Sequence, residues 1–193
     1  MKIIGITGLT GAGKGTVAKV LCEYGFYHID ADRVARDVIN NSETVKNQLL
    51  KHFGGDIINT DGTINRTMLG TRAFADTEST DALNAITHPA VTEKIKIIIA
   101  EKENCKGVII DAIALFESGE AELCDFTVAV TAPMEIRLER IINRDKITKE
   151  KALERINAQK DESFFTSQAD FIIRNYPPYN LDSEISAVIE QIK

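Results

Sequence analysis

The chain has 193 residues, 44% of them apolar, and 29 acidic against 23 basic side chains give a formal net charge of −6. That length suits one domain with a real core and room for an insert, and the acidic balance excludes a global attraction to nucleic acid. Cys22, Cys105 and Cys124 are odd in number, separated and without metal-ligand spacing, which excludes a disulfide framework and predicts reduced thiols in a cytoplasmic protein.

Met1-Lys2 leads straight into an apolar run, so no secretory leader is expected, and no apolar stretch reaches membrane-spanning length. Neither a membrane nor nucleic acid is an expected partner. Met1–Ile6 predicts a first strand. It ends in Gly8-Leu9-Thr10-Gly11-Ala12-Gly13-Lys14-Gly15-Thr16, and from Val17 the apolar spacing turns helical, with Gly25 as the stop. A strand, a glycine-rich turn with this spacing and a lysine opening a helix make a phosphate loop. Small residues let backbone N–H groups converge on an anion, the helix N-terminus adds partial positive charge, and Lys14 adds a full one. Gly15 stands where the motif places a Ser or Thr against Mg²⁺. Thr16 follows it, but adjacent helix residues face different ways. Phosphates, water and a carboxylate are then the expected holders of the ion.

Phe26–Ile29 predicts a second strand, ending in Asp30-Ala31-Asp32 before a helix carrying Val34, Ala35, Val38 and Ile39. Ligands of open parallel sheets bind outside the carboxyl ends of strands. One of these acids is expected to cap the helix; the other either is a bystander or, on the functional reading, faces a transferred phosphate and takes a proton from an acceptor hydroxyl. A helix is predicted over residues 42–55, then a turn at Asp61-Gly62, then helices around Arg66–Ala75 and Thr80–Ile86. His88-Pro89 predicts a new helix running toward Glu103, with Pro89 at its first position and His88 as its N-cap. This helical stretch is longer than a crossover requires and reads as an inserted subdomain for a second substrate.

Gly107–Asp111 predicts a third strand ending in a carboxylate. That acid either caps a helix or orients Mg²⁺, directly or through water. Phe126–Val130 is the fourth strand and Asp170–Asn175 the fifth; Leu181, Ile185, Val188 and Ile192 mark a last helix. Between strands four and five, Arg137, Arg140 and Arg144 share one helix face. A break at residues 145–148 precedes a second helix through Arg155 and Gln159. A charged hairpin there resembles the lid of a phosphotransferase, with Glu135, Glu139 and Glu154 able to neutralise some of the arginines.

Taken together, these pieces resemble the dephospho-CoA kinase family along nearly the whole chain. The carrying residues are Gly8–Thr16; Ile29–Asp32 with Ala35-Arg36; Phe53–Ile57 through Asp61-Gly62 and Arg66; Ile86–Pro89; Asp111 with Leu115–Glu117; Ala132-Pro133 through Arg140 and Arg144; Arg155-Ile156 with Gln159; and Ala169-Asp170 with Asn175. The resemblance implies an α/β fold of P-loop kinase type: a doubly wound parallel five-stranded sheet, a helical substrate-binding insert and a helical lid. It implies a core of about residues 1–54, 105–136 and 169–193, an insert of about 55–104 and a lid of about 137–168.

The implied reaction moves the γ-phosphoryl group of ATP to the ribose 3′-hydroxyl of dephospho-CoA, giving CoA and ADP, with ATP and Mg²⁺ required. Asp32 is then the general base, Lys14 and residues 8–16 hold ATP with Arg144, and Arg140 steadies the phosphates. Asp32, Arg36, Arg66 and His88 serve the acceptor, and Thr16 and Asp111 the metal. The expected partners are the two small-molecule substrates, in a monomer or small homo-oligomer. Two departures stand out: Gly15 for the more common Ser, and Ile113 where the family usually has Pro. A nucleoside monophosphate kinase shares the loop, the Gly-Lys-Gly-Thr order and a lid, and is the alternative. A GTP switch would carry an Asn-Lys-x-Asp base reader, which this chain lacks. A silent nucleotide-binding protein would not need Lys14, Asp32 and the lid arginines together.

Overall fold

The computed structural model describes residues 1–102 and 104–192. Five strands, β1 (Lys2–Thr7), β2 (Phe26–Asp30), β3 (Gly107–Asp111), β4 (Phe126–Thr131) and β5 (Phe171–Arg174), form one parallel sheet in the order β2-β3-β1-β4-β5. β1 is central, with Ile4 opposite both Ile109 and Phe126. Val108, Ile109, Ile110, Val128, Ala129 and Val130 are buried almost completely. That explains why β3 and β4 read as unbroken apolar runs, since a parallel sheet is covered on both faces.

Helix α1 (Lys14–Glu23) follows β1 and α9 (Leu181–Gln191) follows β5. Val17, Ala18 and Leu21 of α1, with Ile185 and Val188 of α9, pack on Ile4, Ile6, Ile109, Val128, Val130 and Ile173. Each Val, Leu or Ile side chain among them contributes about 1.5–3 kcal/mol on burial. The edge strand β5 is pinned by Asp170, whose Oδ2 accepts from the Thr127 N–H at 2.7 Å and the Thr127 hydroxyl at 2.8 Å. Beyond β4 come α6 (Met134–Asp145), α7 (Lys149–Asn157) and the short α8 (Glu162–Thr166). Lys146, in the left-handed region at φ 53, ends α6, and the Thr148 hydroxyl caps α7.

The chain divides into two compact units, Met1–Asp30 with Lys102–Lys193, and Ala31–Glu101. The first holds the whole sheet. The second contains α2 (Ala31–Asn41), α3 (Glu43–Phe53), α4 (Arg66–Ala73) and α5 (Thr77–Ala100). Within it, Arg72 binds the Phe53 carbonyl and the Asp56 carboxylate, which ties α4 to the end of α3 and gives Gly54-Gly55-Asp56 a structural purpose. The turn at Asp61-Gly62 forms as expected, with Asp61 accepting from Thr63 N–H at 2.9 Å.

One expectation fails here. Residues 77–100 are a single helix of 24 residues with Pro89 inside it, so His88 is a helix-interior residue and no N-cap. The true start is Asp76, whose side chain accepts from Ser79 N–H at 2.7 Å. Pro89 does remove one backbone donor. Packing overrides that loss, because Val91 and Ile95 beyond the proline are buried and α5 lies against α2, α3 and α4. Glu103, the expected end of that helix, lies outside the described residues, and α5 ends at Ala100.

Candidate active site

The loop after β1 is shaped by contacts on its outer side. A Cβ on Gly8, at φ 134, would collide with the Val130 carbonyl, so only glycine lets the loop pass this close to β4. The Gly8 carbonyl accepts from Lys14 Nζ at 2.9 Å, which folds the lysine over the loop. Arg140 Nη1 donates to the carbonyls of Gly11 at 3.3 Å and Ala12 at 3.1 Å. The Ala12 carbonyl also accepts from Asn175 Nδ2 at 2.9 Å, and Arg140 Nη2 donates to the Asn175 carbonyl at 2.8 Å. In a trans peptide, C=O and N–H point to opposite sides. With the Ala12 carbonyl turned out toward Arg140 and Asn175, the Gly13 N–H points the other way. That is how a nest of amides for an anion is held open.

Arg140 therefore meets the loop from behind, through its carbonyls. The three arginines of α6 do lie on one face, but they do three different things. Arg137 is only 7% exposed, and its Nε and Nη1 are buried without hydrogen-bond partners among the described residues. Burial pulls its pKa down, while Glu162 and Glu135 push it up. Arg144 grips its neighbour Asp145, Nε to Oδ1 at 2.7 Å and Nη2 to Oδ2 at 3.0 Å, and Arg155 Nη1 reaches the same carboxylate at 2.6 Å. The Arg144 hydrogen bond, aided by the charges of both arginines, holds Asp145 below the usual carboxylate range. The ion pairs of Arg144 and Arg155 go to Asp145, while Glu135 acts on the charge of Arg137.

At the neighbouring strand tips, Asp30 of β2 stands directly opposite Asp111 of β3. Asp111 Oδ2 lies 3.4 Å from His28 Nε2, and the Asp111 side chain is 14% exposed. The loop after β3 is tied to β1 by the Thr7 hydroxyl, which donates to the Ile113 carbonyl at 3.0 Å. A proline would offer the same carbonyl, so Ile113 leaves this connection unchanged.

Among the described residues, no group of three His, Cys, Asp or Glu side chains forms a metal cage. Asp111 with a triphosphate and water still fits Mg²⁺, which keeps several waters and needs only one or two carboxylates. A Cβ on Gly15 would meet nothing within 4 Å, and its φ is not in the left-handed region. The absent hydroxyl is therefore not forced by crowding. Gly15→Ala should raise the unfolding free energy by about 0.5–1 kcal/mol, the usual helix penalty of glycine; urea unfolding measures it.

In the second unit, Asp32 lies in the first turn of α2 with Arg36 one turn later, both exposed. Arg66 is the first residue of α4, exposed, after the N-cap Asn65. His88 is half-buried in the middle of α5. Sequence reasoning assigned no separate role to Gln159 or Asn175, though both stand in the motifs that carry the resemblance. The structure brings both onto the loop, Gln159 Oε1 accepting from the Thr10 N–H at 2.8 Å.

Comparison with known proteins points to one family. The family model described as CoaE, dephospho-CoA kinase, matches residues 2–178. A dephospho-CoA kinase of Corynebacterium diphtheriae is 37% identical over 91% of this chain and 88% of its own length. One from Fusobacterium nucleatum is 39% identical over 90% of this chain and 89% of its own. Among solved structures, a dephospho-CoA kinase from Campylobacter jejuni superposes with a TM-score of 0.69 at 30% identity, covering 100% of this chain and 98% of that one.

Proposed function

The chain belongs to the dephospho-CoA kinase family, and from that premise we propose how its residues divide the work of the reaction. The activity is transfer of the ATP γ-phosphoryl group to the ribose 3′-hydroxyl of dephospho-CoA, giving CoA and ADP. The bond between the γ-phosphorus and the β–γ bridging oxygen breaks, and a bond from that phosphorus to the 3′-oxygen forms. The hydroxyl proton leaves to a base.

Residues 8–16 cradle the triphosphate, and Lys14 moves from the Gly8 carbonyl to the terminal phosphates. Arg140 holds the loop's amides inward and adds positive charge beside it, and Arg144 reaches the phosphates by exchanging Asp145 for them. Asp32 accepts the hydroxyl proton. General-base help of this type is worth about 10²–10⁴ in rate, and the rest comes from positioning and charge neutralisation. Arg36, Arg66 and His88 bind the acceptor, within a helical insert of about residues 55–104 for the last two. The lid is about residues 137–168. Mg²⁺ would neutralise phosphate charge, and Asp111, directly or through water, and Thr16 would hold it. The chain works in the cytoplasm, as a monomer or small homo-oligomer.

The observation that carries this reading is the loop itself: amides turned inward by Arg140 and Asn175, with Lys14 folded over them. A coupled ADP-release assay tests it. Dephospho-CoA should drive ADP formation at least tenfold faster than AMP, CMP or a deoxynucleoside monophosphate. Preference for one of the nucleotides would favour a nucleotide kinase instead.

A further inference from the structure

We propose that Gln159 is a positioning residue of the phosphate loop, holding the Leu9–Thr10 peptide ready for the triphosphate from across the lid segment. The proposal rests on reading that loop as the ATP site. The bond from Thr10 N–H to Gln159 Oε1, 2.8 Å long, joins residues 149 apart in sequence. A backbone N–H can be met only by the oxygen of a glutamine amide, so the side chain has one serviceable orientation.

The opposite edge of the same peptide is also held. Leu9 O accepts from Ala12 N–H at 3.1 Å across the turn. One peptide plane is thus fixed from both sides, while Arg140 and Asn175 fix the planes that follow. Gln159 is itself mounted on a firm base. Its own N–H donates to Ile156 O at 3.2 Å, and Ile156 joins Ala152 and Ile141 in the small core between α6 and α7.

The residue type matters as well as the place. A glutamate would make the same hydrogen bond, but would set a negative charge beside a loop that must receive a polyanion. A methionine would match the shape and offer only a weak acceptor. Glutamine accepts without charge.

Two measurements on the full chain test the idea: calorimetric binding of a non-hydrolysable ATP analogue, and hydrogen exchange of the Thr10 amide in the free protein by NMR. Gln159→Met should speed Thr10 exchange and weaken analogue binding about 2- to 12-fold, the weight of one neutral hydrogen bond. The KM for ATP should rise to match while kcat at saturation stays within about twofold, because the bond is made before the transition state. Unchanged exchange and affinity, or a fall in kcat alone, would overturn the proposal. Should Gln159→Met not fold, Gln159→Glu decides: slow Thr10 exchange is kept, and analogue binding weakens most at low salt. Binding by that variant equal to wild type at low salt would overturn the proposal. Lys14→Met serves as the control. If it binds the analogue normally, the loop reading is at fault; if it loses binding while both Gln159 variants bind normally, only the role of Gln159 is.

Discussion

Asp32→Asn should lower kcat by about 10²–10⁴-fold and leave the affinity for an ATP analogue unchanged. The substitution keeps the shape and polarity of the side chain and removes its capacity to accept a proton. A ribose hydroxyl is a weak nucleophile, and in a loose transition state its proton departs late, when a carboxylate gains most from taking it. The position favours this role: Asp32 is exposed in the first turn of α2, directly after the β2 tip. Exposure also means that the change should cost the fold little. Turnover and calorimetry on the same preparation separate the two effects. A variant that turns over like wild type would remove Asp32 from the base role. One that loses ATP affinity as well would make it a binding residue.

Arg140→Ala should be the second severe lesion, costing about 10³–10⁵ in kcat/KM where an arginine neutralises transferring phosphate. Two losses combine in it. The carbonyls of Gly11, Ala12 and Asn175 lose their guanidinium donor, so the loop's amides are no longer aimed from behind. On the proposed role of Arg140, positive charge beside the phosphates goes too. Arg140→Lys should rescue poorly, since one ammonium cannot reproduce a planar fork that serves three carbonyls from two nitrogens. Arg66→Ala, in the other unit, should act mainly on the KM for the acceptor and be hit less in turnover. The reverse ranking of the two alanine variants would move the phosphate-stabilising role away from α6.

The loop, the five strands and the order in which they occur were legible in the chain because each rests on local signals. Glycine spacing, β-branched runs and a helical period after Lys14 need no distant partner. Pro89 misled for the same reason. A proline at a first helical turn and a proline inside a helix that packs by one face look alike until the neighbours of Val91 and Ile95 are known. The arginines of α6 show a finer limit. Their spacing correctly placed them on one face, but burial of Arg137, the loop contact of Arg140 and the Asp145 partnership of Arg144 are facts of three-dimensional packing. Gln159 is the extreme case: its partner is 149 residues away, and no pattern within a window of chain can name it.

The strand order has a last consequence for the chemistry. With β3 standing between β1 and β2, the tips of the outer two lie two ladder spacings apart, about 9.6 Å. A donor anchored above β1 and an acceptor brought in over β2 would leave a gap wide enough for one tetrahedral phosphorus with its entering and departing oxygens in line. Asp111 ends the strand beneath the middle of that gap. Under the proposed reaction, this strand order would set the spacing between the two substrates.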